Sequence, residues 1–379
     1  MLLYNSYTRK KEPFETIEEK KVRMYVCGLT PDGPMHLGHA ATAIYSDVLV
    51  RYLQSQNYVV NFVQNITDVD DDIVEKSKKA GQTWREFGDL WTQKYLHDIQ
   101  RLNVLKDHGF TKATDSIPSM QKNITKLIDT KHAYVKNGSV YFSIKTFPDF
   151  GKLSHLSQEE MLDIAKQRGG HVDDPDKQNP LDFVLWQKST DPGWESPWGK
   201  GRPGWHIECS AMIYEFLGEQ IDIHGGGGDL LFPHHESEIA QSESFTGKKP
   251  FVNYWMHTAM IKKDGRKMSK SLGNLVLVSD LLKNYNANSI RWLILQNHYR
   301  SAWDYTDEKI ELAAQEFSAI QKVLKSNSAV HNKTLEKEIE VAMDDDLNIP
   351  HALEIIKKAA RTGQTDFVKK SLEILGFEL

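Results

Sequence analysis

The chain has 379 residues, 26% of them charged and 40% hydrophobic, with a formal net charge of −5. That length exceeds an ordinary single domain and predicts two or three. No stretch approaches the roughly 18 consecutive apolar residues of a membrane-spanning helix, and a net negative charge gives nucleic acid no global attraction, so any RNA contact has to come from a local basic surface.

The N-terminal stretch MLLYNSYTRKKEPF carries charges and a proline where a secretory signal would be apolar, which predicts a cytoplasmic protein. Only this extreme N-terminus reads as disordered. Residues 23–28 (RMYVCG) read as a strand rich in β-branched and aromatic side chains, ending in a loop with Pro31, Gly33 and Pro34. From Leu37 the apolar residues Ala41, Ile44, Tyr45, Val48, Leu49, Tyr52 and Leu53 recur at three- and four-residue spacing, as on a helix laid against a sheet. Residues 58–66 read as a second strand, and the carboxylates at 68–72 (DVDDD) suit the start of the next helix. Strand, helix, strand, helix predicts a parallel sheet in a doubly wound, Rossmann-like α/β domain.

Residues 110–200 are less regular, with Gly-Ser and Asp-Pro turns around a strand at 139–144, and read as an insertion that splits this domain. Strand-like segments at 220–223 and 251–261 resume the sheet. After Lys267 the chain turns helical, with amphipathic spacing at 288–298, 308–325 and 350–369. The expected organisation is a first half of a nucleotide-binding domain at 1–110, a connective insertion at 111–203, the second half at 204–262, a lysine loop with its flanking segment at 263–310, and a short helical C-terminal region at 311–379.

Three groups of residues carry chemistry. His36-Leu37-Gly38-His39 lies on the turn from the first strand into the first helix, where free backbone N–H groups and a positive dipole end attract phosphates. The two histidines add donors, and Gly38 lets a base come close to the backbone. Such a pair at a helix start is also an ordinary structural feature. Lys267-Met268-Ser269-Lys270-Ser271 follows a strand and an Asp264-Gly265 turn. Two lysines and two hydroxyls on a slender loop can close over pyrophosphate and neutralise the charge developing there, although many lysine-rich loops are only solvated surface. The third group contains both cysteines of the chain: Cys27 ends the first strand, Cys209 lies in GWHIEC, and His234 and Glu238 are spaced i, i+4 so as to share one helix face. Two thiolates, an imidazole and a carboxylate make a zinc donor set. Equally, an i, i+4 His/Glu pair can be a surface hydrogen bond, and two cysteines can be buried thiols or a disulfide.

The pair H-L-G-H and K-M-S-K-S resembles the paired signature of the class I aminoacyl-tRNA synthetases. Within that class, MYVCG, VQNITDVDDDI, GRPGWHIECSAM, DIHGGGGDLLFPHHESEIAQSE and KMSKSLGN resemble the cysteinyl-tRNA synthetases over about residues 1–320, and DDDLNIP at 344–350 does so less closely. The resemblance implies a ligase of protein biosynthesis that uses ATP, with Mg²⁺, to make cysteinyl-adenylate and passes the cysteine to the 3′ end of tRNA-Cys, with residues 263–310 holding the K-M-S-K-S loop and a stem-contact-like region. It implies that Cys27, Cys209, His234 and Glu238 hold Zn²⁺, which takes the substrate thiol and so selects cysteine over serine. Cys27, Thr30, Asn65, Thr67 and Trp205 would then surround the cysteine, and Gly227, Gly228 and Asp229 would meet adenosine beside His224. His36, Gly38, His39, Lys267, Ser269, Lys270 and Ser271 would hold the phosphates, with His36, His39, Lys267 and Lys270 acting in the chemical step.

The chain stops at Leu379, soon after Pro350, so an anticodon-reading part is expected to be absent or vestigial. GLTPDGPMHLGHAAT, AKQRGGHVDDPDK and GNLVLVSDLL also resemble the mycothiol-pathway ligase that joins cysteine to the amine of glucosaminyl-inositol, whereas Glu238, His224 and SEIAQSE read like the synthetase. The sugar amine is therefore the alternative acceptor. A relative that only binds RNA or cysteine would carry degraded signature loops, and both loops are intact. No feature of the sequence specifies an oligomeric state.

Overall fold

The strand Lys21–Leu29 is the middle of a five-stranded sheet ordered Val252–Thr258, Ile221–Gly227, Lys21–Leu29, Val59–Ile66, Gly109–Lys112 in the computed structural model, which describes residues 1–104, 109–269, 272–325 and 333–379. All four pairings are parallel. The central strand is buried on both faces, and its side chains alternate between two cores. Met24 and Val26 pack with Leu37, Ile44 and Val48 of the helix Leu37–Ser55, whereas Tyr25 and Cys27 pack with Ile207, Met212 and Ile213 of the helix Trp205–Phe216. A parallel sheet covered above and below by helices demands this pattern. The fold is the doubly wound α/β class that the alternation of strands and helices predicts.

After Gly109–Lys112 the chain leaves the sheet. It forms the helix Ile117–Asp129 and a four-stranded antiparallel sheet, Ala133–Lys136, Ser139–Phe142, Phe183–Lys188 and Gly201–Pro203, before it returns. The returning strand Ile221–Gly227 joins the opposite side of Lys21–Leu29. Strand order reverses between these two, which opens a crevice at their carboxyl ends. Local chemistry supports the elements around it: Asp70 caps the helix Asp71–Lys79 by accepting from the Asp72 N–H, and the helices Trp84–Arg101 and Gln158–Gln167 open with Thr83/Glu86 and Ser157/Glu160 capping boxes. Among the described residues, no helix is long and apolar enough to cross a membrane.

Three expectations need correction. The N-terminus is ordered: Leu2–Asn5 and Lys10–Pro13 form an antiparallel hairpin, with Leu3 fully buried and the Phe14 ring 5.2 Å from that of Tyr254. Its charged residues, Arg9 in the turn and Lys10, Lys11 and Glu12 in the outer strand, sit at the solvated edge, and each strand is too short to show a period. The segment 251–261 is two strands, because Ile261–Lys263 leaves the main sheet to pair with Arg266–Lys267 and Trp303–Tyr305. Asp264 and Gly265, at φ 56° and 71°, make the tight turn that this hairpin needs. The segment 350–369 is likewise two helices, Ile349–Arg361 and Thr365–Ile374, divided where Gly363 adopts φ 73°.

The helical C-terminal region is anchored to the sheet domain by buried charge. The Arg291 guanidinium pairs with buried Asp47 on the helix Leu37–Ser55 and donates to the carbonyls of Leu375 (2.7 Å) and Leu102 (2.9 Å). Gly376 lies so close that a Cβ there would stand 2.1 Å from Arg291 Nη2. Replacing Arg291 by Met is expected to lower stability by about 3 kcal/mol in urea unfolding, because Asp47 stays buried with less cationic compensation. Asp345→Ala, which breaks only the solvated Lys11 pair, should cost less than about 1 kcal/mol.

Candidate active site at the carboxyl edge of the sheet

Register across the sheet builds the floor of the crevice. Gly225 pairs with Val26 and Gly226 with His257, so Cys27, Gly226 and His257 lie abreast on three neighbouring strands. The middle residue has no side chain, and the His235 imidazole settles over it: a Cβ at Gly226 would be 2.9 Å from His235 Cε1. His235 Nε2 is 3.3 Å from Cys27 Sγ, and its Nδ1 is 2.8 Å from His257 Nε2, whose ring continues to Ser6 Oγ at 2.8 Å.

Two covering elements bring the remaining donors. The helix Trp205–Phe216 presents Cys209 one turn after Trp205. Leu231–His235 is a wide turn, with Phe232 extended at φ −139°, and it runs into the helix Glu236–Thr246 so that His234 and Glu238 share a face across the junction. The two sulfurs are 3.8 Å apart, far beyond the roughly 2 Å of a disulfide, and both cysteines are free. Cys27 Sγ lies 3.7 Å from Glu238 Oε1, His234 Nε2 lies 3.4 Å from Cys209 Sγ, and His234 Nε2 lies 3.1 Å from Glu238 Oε1. Zinc bonds of about 2.3 Å to sulfur and about 2.0 Å to nitrogen or oxygen, spread tetrahedrally, separate two sulfurs by about 3.8 Å, sulfur from nitrogen or oxygen by about 3.5 Å, and nitrogen from oxygen by about 3.3 Å. Every observed edge falls within a few tenths of an ångström of these values, so the four residues fit a zinc ion.

A second group, Cys27, His224, His235 and Glu238, is equally compact and buried. Position separates the two. Cys27, Cys209 and His234 line a cleft of roughly 360 Å³, whereas His224, His235 and Glu238 lie behind it. His224 Nε2 holds Glu238 Oε2 at 3.0 Å, which turns the other carboxylate oxygen toward Cys27 and His234. His206 Nδ1 faces His234 Nδ1 at 2.9 Å. With Nε2 of His234 aimed at the donor cluster, its Nδ1 carries the proton and His206 accepts it, consistent with burial and the neighbouring His234 holding the His206 pKa well below the usual value.

Burial opposes ionisation throughout the cluster, yet the neighbours decide each group. Burial, with Cys209 and Glu238 beside it, pushes the Cys27 thiol well up. Against its own burial, Cys209 is brought down to about 6 by the Cys27 hydrogen bond and by His234. Glu238 falls to about 2 beside His224 and His234, and His234 rises to about 10 beside Glu238 and Cys209, each against the penalty of burial. An imidazolium thus compensates a thiolate and a carboxylate. A divalent cation would replace that proton's role with more charge.

Above this floor the cleft gathers most of the residues singled out in the sequence. Trp205 stacks on His234, with ring centroids 4.4 Å apart. Thr30, Asn65 and Thr67 line the side wall. Asn65 Nδ2 donates to Thr67 Oγ1 at 3.0 Å, and Asn65 Oδ1 accepts from the Gly28 N–H at 2.8 Å. His36, Gly38 and His39 line the opposite wall with Gly227, Asp229 and Lys267. His36 is the N-cap of its helix, and its Nδ1 accepts from the N–H groups of Gly38 (3.1 Å) and His39 (3.4 Å). These groups are therefore not free, as the sequence suggested; an approaching phosphate has to displace the ring or use its other nitrogen. A Cβ at Gly38 would be 2.9 Å from His36 Cε1, so glycine is what admits this cap. Gly228 and Ser269 do not line the cleft but adjoin Gly227 and Met268, which do, and Lys270 and Ser271 fall outside the described residues.

Several residues of this site escaped the sequence reading. Gly28 has to be glycine, since a Cβ would fall 1.8 Å from the Asn65 carbonyl oxygen. Asn274 pins the lysine loop, accepting from the Ser269 N–H at 2.9 Å and donating to the Lys267 carbonyl at 3.2 Å. His206, His235 and His257 were also missed; His257, near the carboxyl end of a parallel strand, stood where sites of this fold are built.

The family model for the class I (C) tRNA synthetase catalytic domain matches residues 13–315. The cysteine–tRNA ligase of Gloeothece citriformis is 42% identical over 384 residues, covering 95% of this chain and 78% of its own length. This chain belongs to the cysteine–tRNA ligase family. Its relative from Legionella pneumophila is 43% identical over 367 residues, covering 94% and 79%. Among solved structures, Mycobacterium tuberculosis methionyl-tRNA synthetase in complex with methionyl-adenylate superposes with a TM-score of 0.69 over 94% of this chain and 89% of that one, at 15% identity, which is a likeness of fold. For this member of the cysteine–tRNA ligase family the two metal-competent groups are separable. After expression in zinc-supplemented medium, atomic absorption should find about one zinc per chain, lost in Cys209→Ser and His234→Asn and kept in His235→Asn. The reverse pattern would place the ion in the second group.

Proposed function

We propose that this protein is a cytoplasmic ligase that activates L-cysteine with ATP, accompanied by Mg²⁺, as cysteinyl-adenylate, and then esterifies the 3′-terminal ribose of tRNA-Cys. The observation that carries this reading is a four-donor set at zinc spacing, of which Cys27, Cys209 and His234 reach the floor of the cleft and Glu238 stands behind them, beneath walls that hold His36, His39 and Lys267. The Gloeothece and Legionella relatives are tRNA ligases, which favours the RNA acceptor over the amine of glucosaminyl-inositol.

A zinc ion held by Cys27, Cys209, His234 and Glu238 would supply a Lewis-acid position that takes a thiolate in preference to a neutral hydroxyl. The side chains around it confine the amino acid, with Trp205 and Thr30 beside the donors and Asn65 fixing Thr67 at the rim. In the first step a cysteine carboxylate oxygen bonds the α-phosphorus of ATP as the bond from that phosphorus to its β-bridging oxygen breaks, and pyrophosphate leaves with the electron pair. No covalent bond to the protein is required; positioning and charge neutralisation supply the rate. His36 and His39 would hold the triphosphate at the helix start, Gly227, Gly228 and Asp229 would hold adenosine, and Lys267, Ser269, Lys270 and Ser271 would close over the leaving group. In the second step a terminal ribose hydroxyl attacks the acyl carbon, AMP departs, and the proton of the hydroxyl passes to the released phosphate. In this assignment residues 1–110 and 204–262 are the two halves of the nucleotide-binding domain and 111–203 the insertion between them, followed by the loop region 263–310 and the helical region 311–379.

The purified protein should catalyse cysteine-dependent exchange of labelled pyrophosphate into ATP and should charge a tRNA-Cys transcript. Cys209→Ser should abolish exchange, and serine should support it at least about a thousandfold less well than cysteine, beyond the roughly hundredfold that a merely apolar pocket provides. Exchange at the wild-type rate in Cys209→Ser would remove the metal from the reading, and transfer to glucosaminyl-inositol but to no RNA would replace the acceptor.

A further inference from the structure

Lys267, the first lysine of the K-M-S-K-S segment, has its Nζ 3.4 Å from Asp229 Oδ2. The same oxygen is 3.5 Å from Nη1 of Arg168, which comes from the antiparallel-sheet segment between the two halves of the main sheet. Arg168 follows the helix Gln158–Gln167 and is placed by the way that helix ends. Its N–H bonds the Ile164 carbonyl, Gly169 takes φ 75°, and the Gly170 N–H closes on the Ala165 carbonyl at 2.7 Å. A Cβ at Gly170 would be 2.7 Å from that carbonyl oxygen, so the stop needs glycine there. Lys267 and Arg168 are each part-exposed, as is Asp229 between them.

One carboxylate is thus shared by two cations from different parts of the fold. If Lys267 is to reach phosphate, it has to leave Asp229; if Asp229 is to accept from ribose hydroxyls, it has to stay oriented while that happens. With Arg168 present, Asp229 keeps a counter-ion as Lys267 departs. Without it, Lys267 becomes the partner that Asp229 retains, and movement toward the phosphates is opposed by an ion pair with no replacement.

We infer that Arg168 is a positioning residue for ATP, acting through Asp229 to free Lys267 for the phosphates; this rests on the ATP-binding reading of the cleft. The test is cysteine-dependent ATP–pyrophosphate exchange by Arg168→Ala, Arg168→Lys, Asp229→Asn and the Arg168→Ala/Asp229→Asn double variant. Arg168→Ala should lower kcat/KM for ATP about tenfold while the KM for cysteine and the zinc content stay at wild-type values, and Arg168→Lys should recover most of the loss. In the Asp229→Asn background, Arg168→Ala should change kcat/KM by less than about twofold, because its effect passes through the carboxylate. Equal losses in both backgrounds, unchanged ATP kinetics in Arg168→Ala, or parallel loss of cysteine affinity and zinc would overturn the assignment. Absence of exchange in the wild-type protein would instead sink the ATP reading itself, and the role of Arg168 with it.

Discussion

Four ionisable side chains meet, buried, at the base of a cleft, and the rest of the molecule is arranged to make that meeting tolerable. Cys27, Cys209, His234 and Glu238 come from a strand, a covering helix and a turn entering a second helix, and all four are buried. Burying a carboxylate or thiolate without compensation costs several kcal/mol, so the cluster persists only if its charges neutralise one another or enclose a cation. His224 and His206 matter for the same reason. Each fixes the outer edge of a donor, Glu238 in one case and His234 in the other, and so keeps the inner edges converged. The parallel sheet contributes the alternation that turns Cys27, rather than Val26, to this side.

Glycines serve that constraint from the backbone side. Gly226 clears the space in which the His235 ring stands between Cys27 and His257, and Gly28 lets the strand pass the Asn65 carbonyl at the mouth of the cleft. Neither fills space, and either acquiring a methyl group would move a donor or a wall. The selectivity expected of the site follows from the same arrangement. An apolar pocket separates thiol from hydroxyl weakly, because the two side chains are nearly isosteric, whereas a metal centre distinguishes a deprotonated sulfur from a neutral oxygen by bonding.

The donors themselves were legible because cysteine is scarce here and because the i, i+4 spacing of His234 and Glu238 survives the irregular turn before their helix. The fold was legible for a similar reason: strand and helix periods alternate over the first 66 residues, and the two signature segments mark the crevice. What stayed hidden depends on register and distance. Nothing in WMHT or IDIHGGG says that His257 and Gly226 are neighbours, and nothing in AKQRGG says that Arg168 reaches Asp229. The N-terminal hairpin was missed because two four-residue strands show no period, although burial of Leu3 and contacts from Phe14 settle it firmly onto the sheet domain. That His36 caps its own helix was not legible, since a helix-start histidine can donate to a ligand or accept from the N–H groups that follow it, and the sequence does not give the ring's orientation.

The C-terminal end of the chain bears on the site through one helix. Leu37–Ser55 begins at the His36 cap on the cleft wall and carries Asp47, whose pair with Arg291 joins the carbonyl of Leu375 to the same buried network. Asp346, also buried, accepts from the Tyr4 N–H, the Tyr299 hydroxyl and the Arg300 guanidinium, so it ties the N-terminal hairpin to the start of the final helices. Arg300 in turn lies over the Tyr4 ring. The C-terminal helices therefore brace the element that positions His36 and His39, and a change in their packing would be transmitted along a rigid helix rather than absorbed by a linker. The helical region is thus part of what holds the His36 and His39 side of the cleft in place.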